Sequence, residues 1–169
     1  KIEGIGGLGK TAAVLQFIRK FAENEKDKLD YNFLYLTAKS KEQGEYETNA
    51  KARLLGYKTK VTSNFNLGIG EYVEGLPFNE FLKRLNSLVH KGKSVMEISR
   101  MNHDDLQSSA LNYLERKKVI IFLDNFEDVT QNEREKYSGF FDAIYDHKNT
   151  KIIITTRPGR GKINTQQDI

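Results

Sequence analysis

Cysteine is absent from the 169-residue chain, which removes disulfides, thiolate-bound zinc and thiol catalysis together. Long apolar runs are absent too. None approaches the length that spans a bilayer, and the first residues do not resemble a secretory signal. The expected setting is therefore cytoplasmic, with no membrane partner. Nor does one sign of charge dominate: 27 basic and 23 acidic side chains leave a net +4, and the two signs interleave along the chain. Nucleic-acid binders gather their basic residues on one face, so this distribution leaves a nucleic-acid partner open without favouring it. His90, His103 and His147 lack the spacing of metal ligands and read as surface or cap residues.

What is present has the length of one domain with a proper core. Val14, Phe17, Ile18 and Phe21 recur at helical spacing and predict a helix over Thr11–Glu23. The short apolar run Asn32–Thr37 reads as a buried strand. Residues 39–75 are polar, an insertion or a loop. Within them Glu45–Leu55 fits a helix stopped by Gly56, and Phe65, Leu67 and Ile69 alternate as a strand does. Phe78, Phe81, Leu82, Leu85, Leu88 and Val89 mark an amphipathic helix. Leu106, Ala110, Leu111 and Leu114 mark another over Asp104–Glu115. Val119–Leu123 is apolar throughout and predicts a strand buried on both faces. Thr130 and Glu133 have the spacing of a capping box, opening a helix with Tyr137, Phe140, Phe141, Ile144 and Tyr145 inward. Ile152–Thr155 is the last strand, and 158–169 reads as a flexible tail. Apolar strands alternating with helices imply an α/β fold with a mostly parallel central sheet between helical layers.

Gly4-Ile5-Gly6-Gly7-Leu8-Gly9-Lys10-Thr11 fits G-x-x-x-x-G-K-[ST] and leads straight into a helix. Glycines let successive backbone N–H groups turn inward on phosphate oxygens, and the helix adds its positive end. Gly6, Gly7, Leu8, Gly9, Lys10, Thr11 and Ala12 are the expected nucleotide-binding residues. Lys10 would meet the β and γ phosphates, and the Thr11 hydroxyl would bind Mg²⁺. The bland alternative is a glycine-rich turn before an ordinary helix. Such a loop leaves the end of a strand of about five or six residues, yet only Lys1, Ile2 and Glu3 precede it. The first strand is therefore expected to be truncated, and the chain to be a piece of a longer multidomain protein.

Asp124 ends the apolar run Val119–Leu123, at the strand tip where open parallel sheets bind ligands. It is either a second Mg²⁺ ligand or a helix cap. Glu127 and Asp128 follow, and either orients or deprotonates an attacking water or belongs to a solvated acidic turn. Arg157 follows Ile152–Thr156 and is either a sensor of the γ-phosphate or an exposed surface arginine.

In this order GIGGLGKT, IIFLDNFED and IIITTR resemble the STAND class of P-loop NTPases, the signal-transduction ATPases that include NB-ARC and NACHT domains. The double glycine Gly6-Gly7 is similar to the NB-ARC loop, and Asp124-Asn125-Phe126-Glu127-Asp128 to the NACHT arrangement. The resemblance covers Gly4 to Arg157. It implies a three-layer P-loop fold over residues 1–157, with the Arg157 strand between the first strand and the Asp124 strand. It further implies a regulatory switch that binds ATP or ADP with Mg²⁺, hydrolyses ATP slowly, self-associates when active, and is flanked by sensor and effector domains. Glu127, Asp128 and Arg157 are its expected catalytic residues. The class's Gly-Leu-Pro element follows the arginine strand, whereas Gly75-Leu76-Pro77 precedes Asp124. Met101-Asn102-His103-Asp104 echoes a distal Met-His-Asp element only superficially. No Asn-Lys-x-Asp or Leu-Ser-Gly-Gly-Gln stretch occurs, which argues against a small GTPase and an ABC subunit. Asn125 stands where AAA+ motors carry a glutamate. Two alternatives remain, a nucleic-acid motor or loader and a module that holds ATP without hydrolysing it. For residues 1–169 alone the expectation is weak, base-indifferent nucleotide binding with negligible turnover.

Overall fold

A computed structural model describes residues 2–4, 9–23, 31–38, 75–90 and 95–158. Strands β1 (Ile2–Glu3), β2 (Tyr31–Thr37), β3 (Lys118–Asp124) and β4 (Thr150–Thr156) form one sheet. All are parallel, in the order β1-β4-β3-β2. The strand that ends beside Arg157 thus lies between β1 and the Asp124 strand, as the resemblance implies. The helices are α1 (Lys10–Glu23), α2 (Phe78–Val89), the short α3 (Val95–Ser99), α4 (His103–Arg116) and α5 (Gln131–Ala143). Predicted boundaries fall within two residues of these, and only α3 has no counterpart in the sequence reading. The expected helix at Glu45–Leu55, the strand at Phe65–Ile69 and the tail beyond Pro158 lie outside the described residues.

Parallel strands bury both faces, because the connections between them must cross over the sheet. Along β2 and β3, alternate residues go to opposite sides. Leu34, Leu36, Val119, Ile121 and Leu123 join the core made with α2, α4 and α5. Phe33, Tyr35, Ile120 and Phe122 face the other way, against Val14 of α1. Of the apolar face expected for α1, Val14 is buried, but Phe17 is 48% exposed. The side chains of Ile18 and Phe21 are outside the described residues.

The larger core is centred on aromatic rings. Tyr137 is fully buried, with its ring 5.1–5.2 Å from those of Phe78, Phe81 and Phe126. Its hydroxyl donates to the Leu76 carbonyl at 3.1 Å. That contact fixes the entry to α2, where Gly75 (φ +65°) and Leu76 (φ +42°) take left-handed backbone before Pro77. Gly-Leu-Pro is thus a helix entry, and the strain at Leu76 is held by burial. The Met101–Asp104 stretch is a helix start: the Asn102 side chain accepts the Asp105 N–H at 2.8 Å.

Two expectations need correcting. Tyr145 is 64% exposed, because α5 ends at Ala143 and the following turn carries that ring outward. The capping box is also shared between helices. Thr130 accepts the Glu133 N–H, but the Glu133 carboxylate accepts the Phe78 N–H and caps α2. That is a better use of the charge, since the first N–H groups of α2 have no partner within the helix. Burial raises the Glu133 pKa, but bonds from Lys136 and the Phe78 N–H outweigh it and leave the net shift downward.

Burial, with the nearby Glu133 charge, pushes the Tyr137 phenol well above its usual pKa. Tyr137→Phe strands the buried Leu76 carbonyl and should cost about 1–2 kcal/mol at neutral pH. The raised folded pKa makes the tyrosine's contribution complete below about pH 10 and lost as pH rises further, when the unfolded chain ionises first. Urea titrations of both proteins across that range should show the gap between them narrowing in alkali.

Candidate functional site

The strand ends gather polar side chains that their apolar bodies do not foretell. Thr37 pairs with Asp124 in the β2–β3 register, and Thr155 lies on the other side, one residue beyond the Leu123–Ile154 pair. Thr37, Asp124, Thr155 and Thr156 are all buried, Asp124 at 1% exposure. A carboxylate so withdrawn from water must be hydrogen-bonded or paired. Asp124 Oδ1 accepts from the Thr11 hydroxyl at 2.8 Å and from the Thr155 hydroxyl. Its Oδ2 accepts from the Tyr35 hydroxyl at 2.9 Å. The Tyr35 ring is held in turn against Phe122, 4.9 Å between centroids.

Directly after Asp124 the chain turns. Asn125 adopts φ 57°, ψ 44°, a left-handed conformation that asparagine tolerates better than most residues. Its N–H donates to Thr155 Oγ1 and its amide to Thr37 Oγ1, both at 3.1 Å. The turn is thereby latched to the strands on both sides.

Helix α1 brings Thr11 to this edge. Its entry needs a glycine, since Gly9 has φ +72° and its carbonyl accepts the Ala13 N–H at 2.8 Å. Lys10 reaches back, and its Nζ donates to the Gly4 carbonyl at 2.6 Å. Ala12 is exposed on the first turn. Gly6, Gly7 and Leu8 lie outside the described residues. The first N–H groups of α1, the Lys10 ammonium and the Thr11 hydroxyl therefore share one edge of the sheet with Asp124.

Glu127 and Arg157 meet beside them. Arg157 Nε lies 3.1 Å from Glu127 Oε1, with the arginine side chain 54% exposed and the glutamate 5%. A 3₁₀ turn, Phe126–Asp128, carries Glu127 and is anchored by the buried Phe126. Asp128 is exposed, and its N–H donates to the Asn125 carbonyl at 2.9 Å. The structure thus gathers Lys10, Thr11 and Asp124, and ties Glu127 to Arg157. Tyr35, Thr37 and Thr155 were not singled out in the sequence. For Thr37 and Thr155 the signal is a hydroxyl at or next to the end of an apolar strand, whereas Tyr35 lies inside its strand and gives no such signal. Of the histidines, His90 bonds through Nε2 with Ser109 Oγ at 3.1 Å. Among the described residues no three or more His, Asp or Glu gather as a metal site.

No protein-family model matches the chain, and no curated protein matches it. No helix among the described residues is long and apolar enough to cross a membrane.

Thr155 joins two partners, donating to Asp124 and accepting from Asn125 N–H. Thr155→Val should therefore destabilise the chain by about 1–3 kcal/mol, the cost of stranding buried polar groups. Thr155→Ser should retain most of the stability. Chemical denaturation of the three proteins measures the difference, and equal midpoints for valine and threonine would refute the bridging role.

Proposed function

We propose that the chain binds ATP, or ADP, with Mg²⁺ at the carboxyl edge of its sheet, as the nucleotide-binding core of a STAND-like regulatory ATPase with a P-loop NTPase fold. The observation that carries this reading is the 2.8 Å bond between Thr11 and Asp124, 113 residues apart in sequence. These two residues end two separate motifs, each of which points to Mg²⁺ by its own chemistry, and they touch. The parallel sheet and its strand order support the same reading, as does the Lys10 ammonium beside the entry to α1.

The donor set suits Mg²⁺. That ion takes hard oxygen ligands, commonly one or two carboxylates, with phosphate and water completing the octahedron. Asp124 and Thr11 are such donors, and their present bond is the one a cation between them would replace. Bound Mg²⁺ would neutralise charge on the β and γ phosphates. The chain's own part is positioning. The α1 N-terminus and Lys10 hold the phosphates, and Tyr35 and Thr155 orient the Asp124 carboxylate. Arg157 follows Thr156, which pairs with Glu3, and in this reading it would sense a terminal phosphate. In this reading ATP favours a self-associating state, slow hydrolysis resets it, and flanking sensor and effector domains set the signal.

One observation favours a second reading, a module that binds ATP without hydrolysing it. Of the two candidate bases, Glu127 is engaged by Arg157 and Asp128 lies on an exposed turn. Phosphate release by the intact protein separates the two.

Lys10→Ala should weaken ATP binding by about 2–4 kcal/mol, because a charge meeting two phosphates is lost, and the fold should survive. Asp124→Asn should still bind nucleotide through the loop but lose its dependence on Mg²⁺. Titration calorimetry with and without Mg²⁺ tests both. Undiminished ATP binding by Lys10→Ala would sink the reading.

A further inference from the structure

Glu127 is the less settled partner in its ion pair. Its side chain is 5% exposed, and Oε2 is buried with no hydrogen-bond partner, so Arg157 meets only one of the two oxygens. Burying a carboxylate oxygen unpaired is costly, and removing Arg157 would leave the whole charge uncompensated. The pair therefore restrains Arg157 more firmly than a surface ion pair would.

The two partners differ in freedom. Glu127 sits on a turn fixed by buried Phe126 and Val129. Its carbonyl accepts from an Arg134 Nη at 2.8 Å, and the turn closes through the Asp128 and Val129 N–H groups. Arg157 follows the last residue of β4 and is 54% exposed. When the pair opens, the arginine is the partner that moves.

We propose that Glu127 is a latch on Arg157, which a bound nucleoside triphosphate must open and a diphosphate need not. This rests on the nucleotide reading above and adds to it a determinant of the choice between the two nucleotides. Glu127 and a terminal phosphate compete for one guanidinium charge, and the two anions would repel each other if both stayed on it. Opening the pair therefore subtracts from the affinity for the triphosphate alone. Glu127 acts through Arg157 and is a positioning residue here.

The test is a double-mutant cycle read by calorimetric titration of ATP and ADP, with Mg²⁺, on the unaltered chain, Glu127→Gln, Arg157→Ala and the double variant. Glu127→Gln keeps the shape and removes the charge, so ATP affinity should rise about fivefold, the lower end of site-to-site coupling, while ADP affinity stays the same. Arg157→Ala should lower ATP affinity selectively, and in the double variant the gain should vanish. Hydrolysis is not the readout, since a lost base and a lost latch would both change it. Equal gains for ATP and ADP, no gain at all, or a gain that persists without Arg157 would each overturn the latch and leave the nucleotide reading standing. No binding of either nucleotide by the unaltered chain would overturn both. Should Glu127→Gln fail to fold by circular dichroism, Glu127→Met takes its place, since it removes the charge at similar volume, and an unmoved ATP to ADP ratio in that variant would overturn the latch.

Discussion

A carboxylate at 1% exposure organises the carboxyl edge of the sheet. Asp124 ends a strand whose other residues are apolar, and there its charge can be kept only by donors brought from elsewhere. Thr11 arrives from α1, Tyr35 from β2 and Thr155 from β4. Each of these positions depends on something further away. Tyr35 is set by the β2–β3 register, Thr155 by the β3–β4 register, and Thr11 by the left-handed glycine that starts α1. A slip of one residue in either register would turn every side chain of that strand to the other face and take its hydroxyl away from Asp124. The apolar bodies of the strands and the polar cluster at their tips are thus one arrangement.

The aromatic core and the polar cluster occupy different parts of the same sheet. The face covered by α2, α4 and α5 holds the aromatic rings around Tyr137, and its polar contacts close helix ends. The carboxyl edge carries what such a core would not keep for its own sake, with a buried aspartate, a buried unpartnered oxygen on Glu127 and a left-handed Asn125. Costs of this kind collect where function needs them. Glu127 and Arg157 belong to that edge as well.

Much of the fold was legible because burial leaves a strong pattern. Val119–Leu123 is apolar at every position, as only a strand covered on both faces is, and α2 repeats its apolar residues at helical spacing. Where the reading missed, a local pattern had competition. Tyr145 follows the apolar spacing of α5, yet the helix stops before it. Glu133 fits a capping box, yet the unsatisfied N-terminus of α2 lies within its reach and takes its charge. The first outcome is set by the local turn that ends α5, the second by a helix more than fifty residues away in the chain.

By itself the sequence determined the α/β class, the bounds of most helices and strands, and the residue types of two motifs, since these follow from local spacing and from the chemistry of single side chains. Only the tertiary structure decided that Thr11 and Asp124 touch, that Tyr35 and Thr155 donate to the same carboxylate, and that Glu127 faces Arg157. Such contacts join residues far apart along the chain. They arise when parallel strands, forced apart in sequence by their crossovers, are brought side by side with their tips aligned.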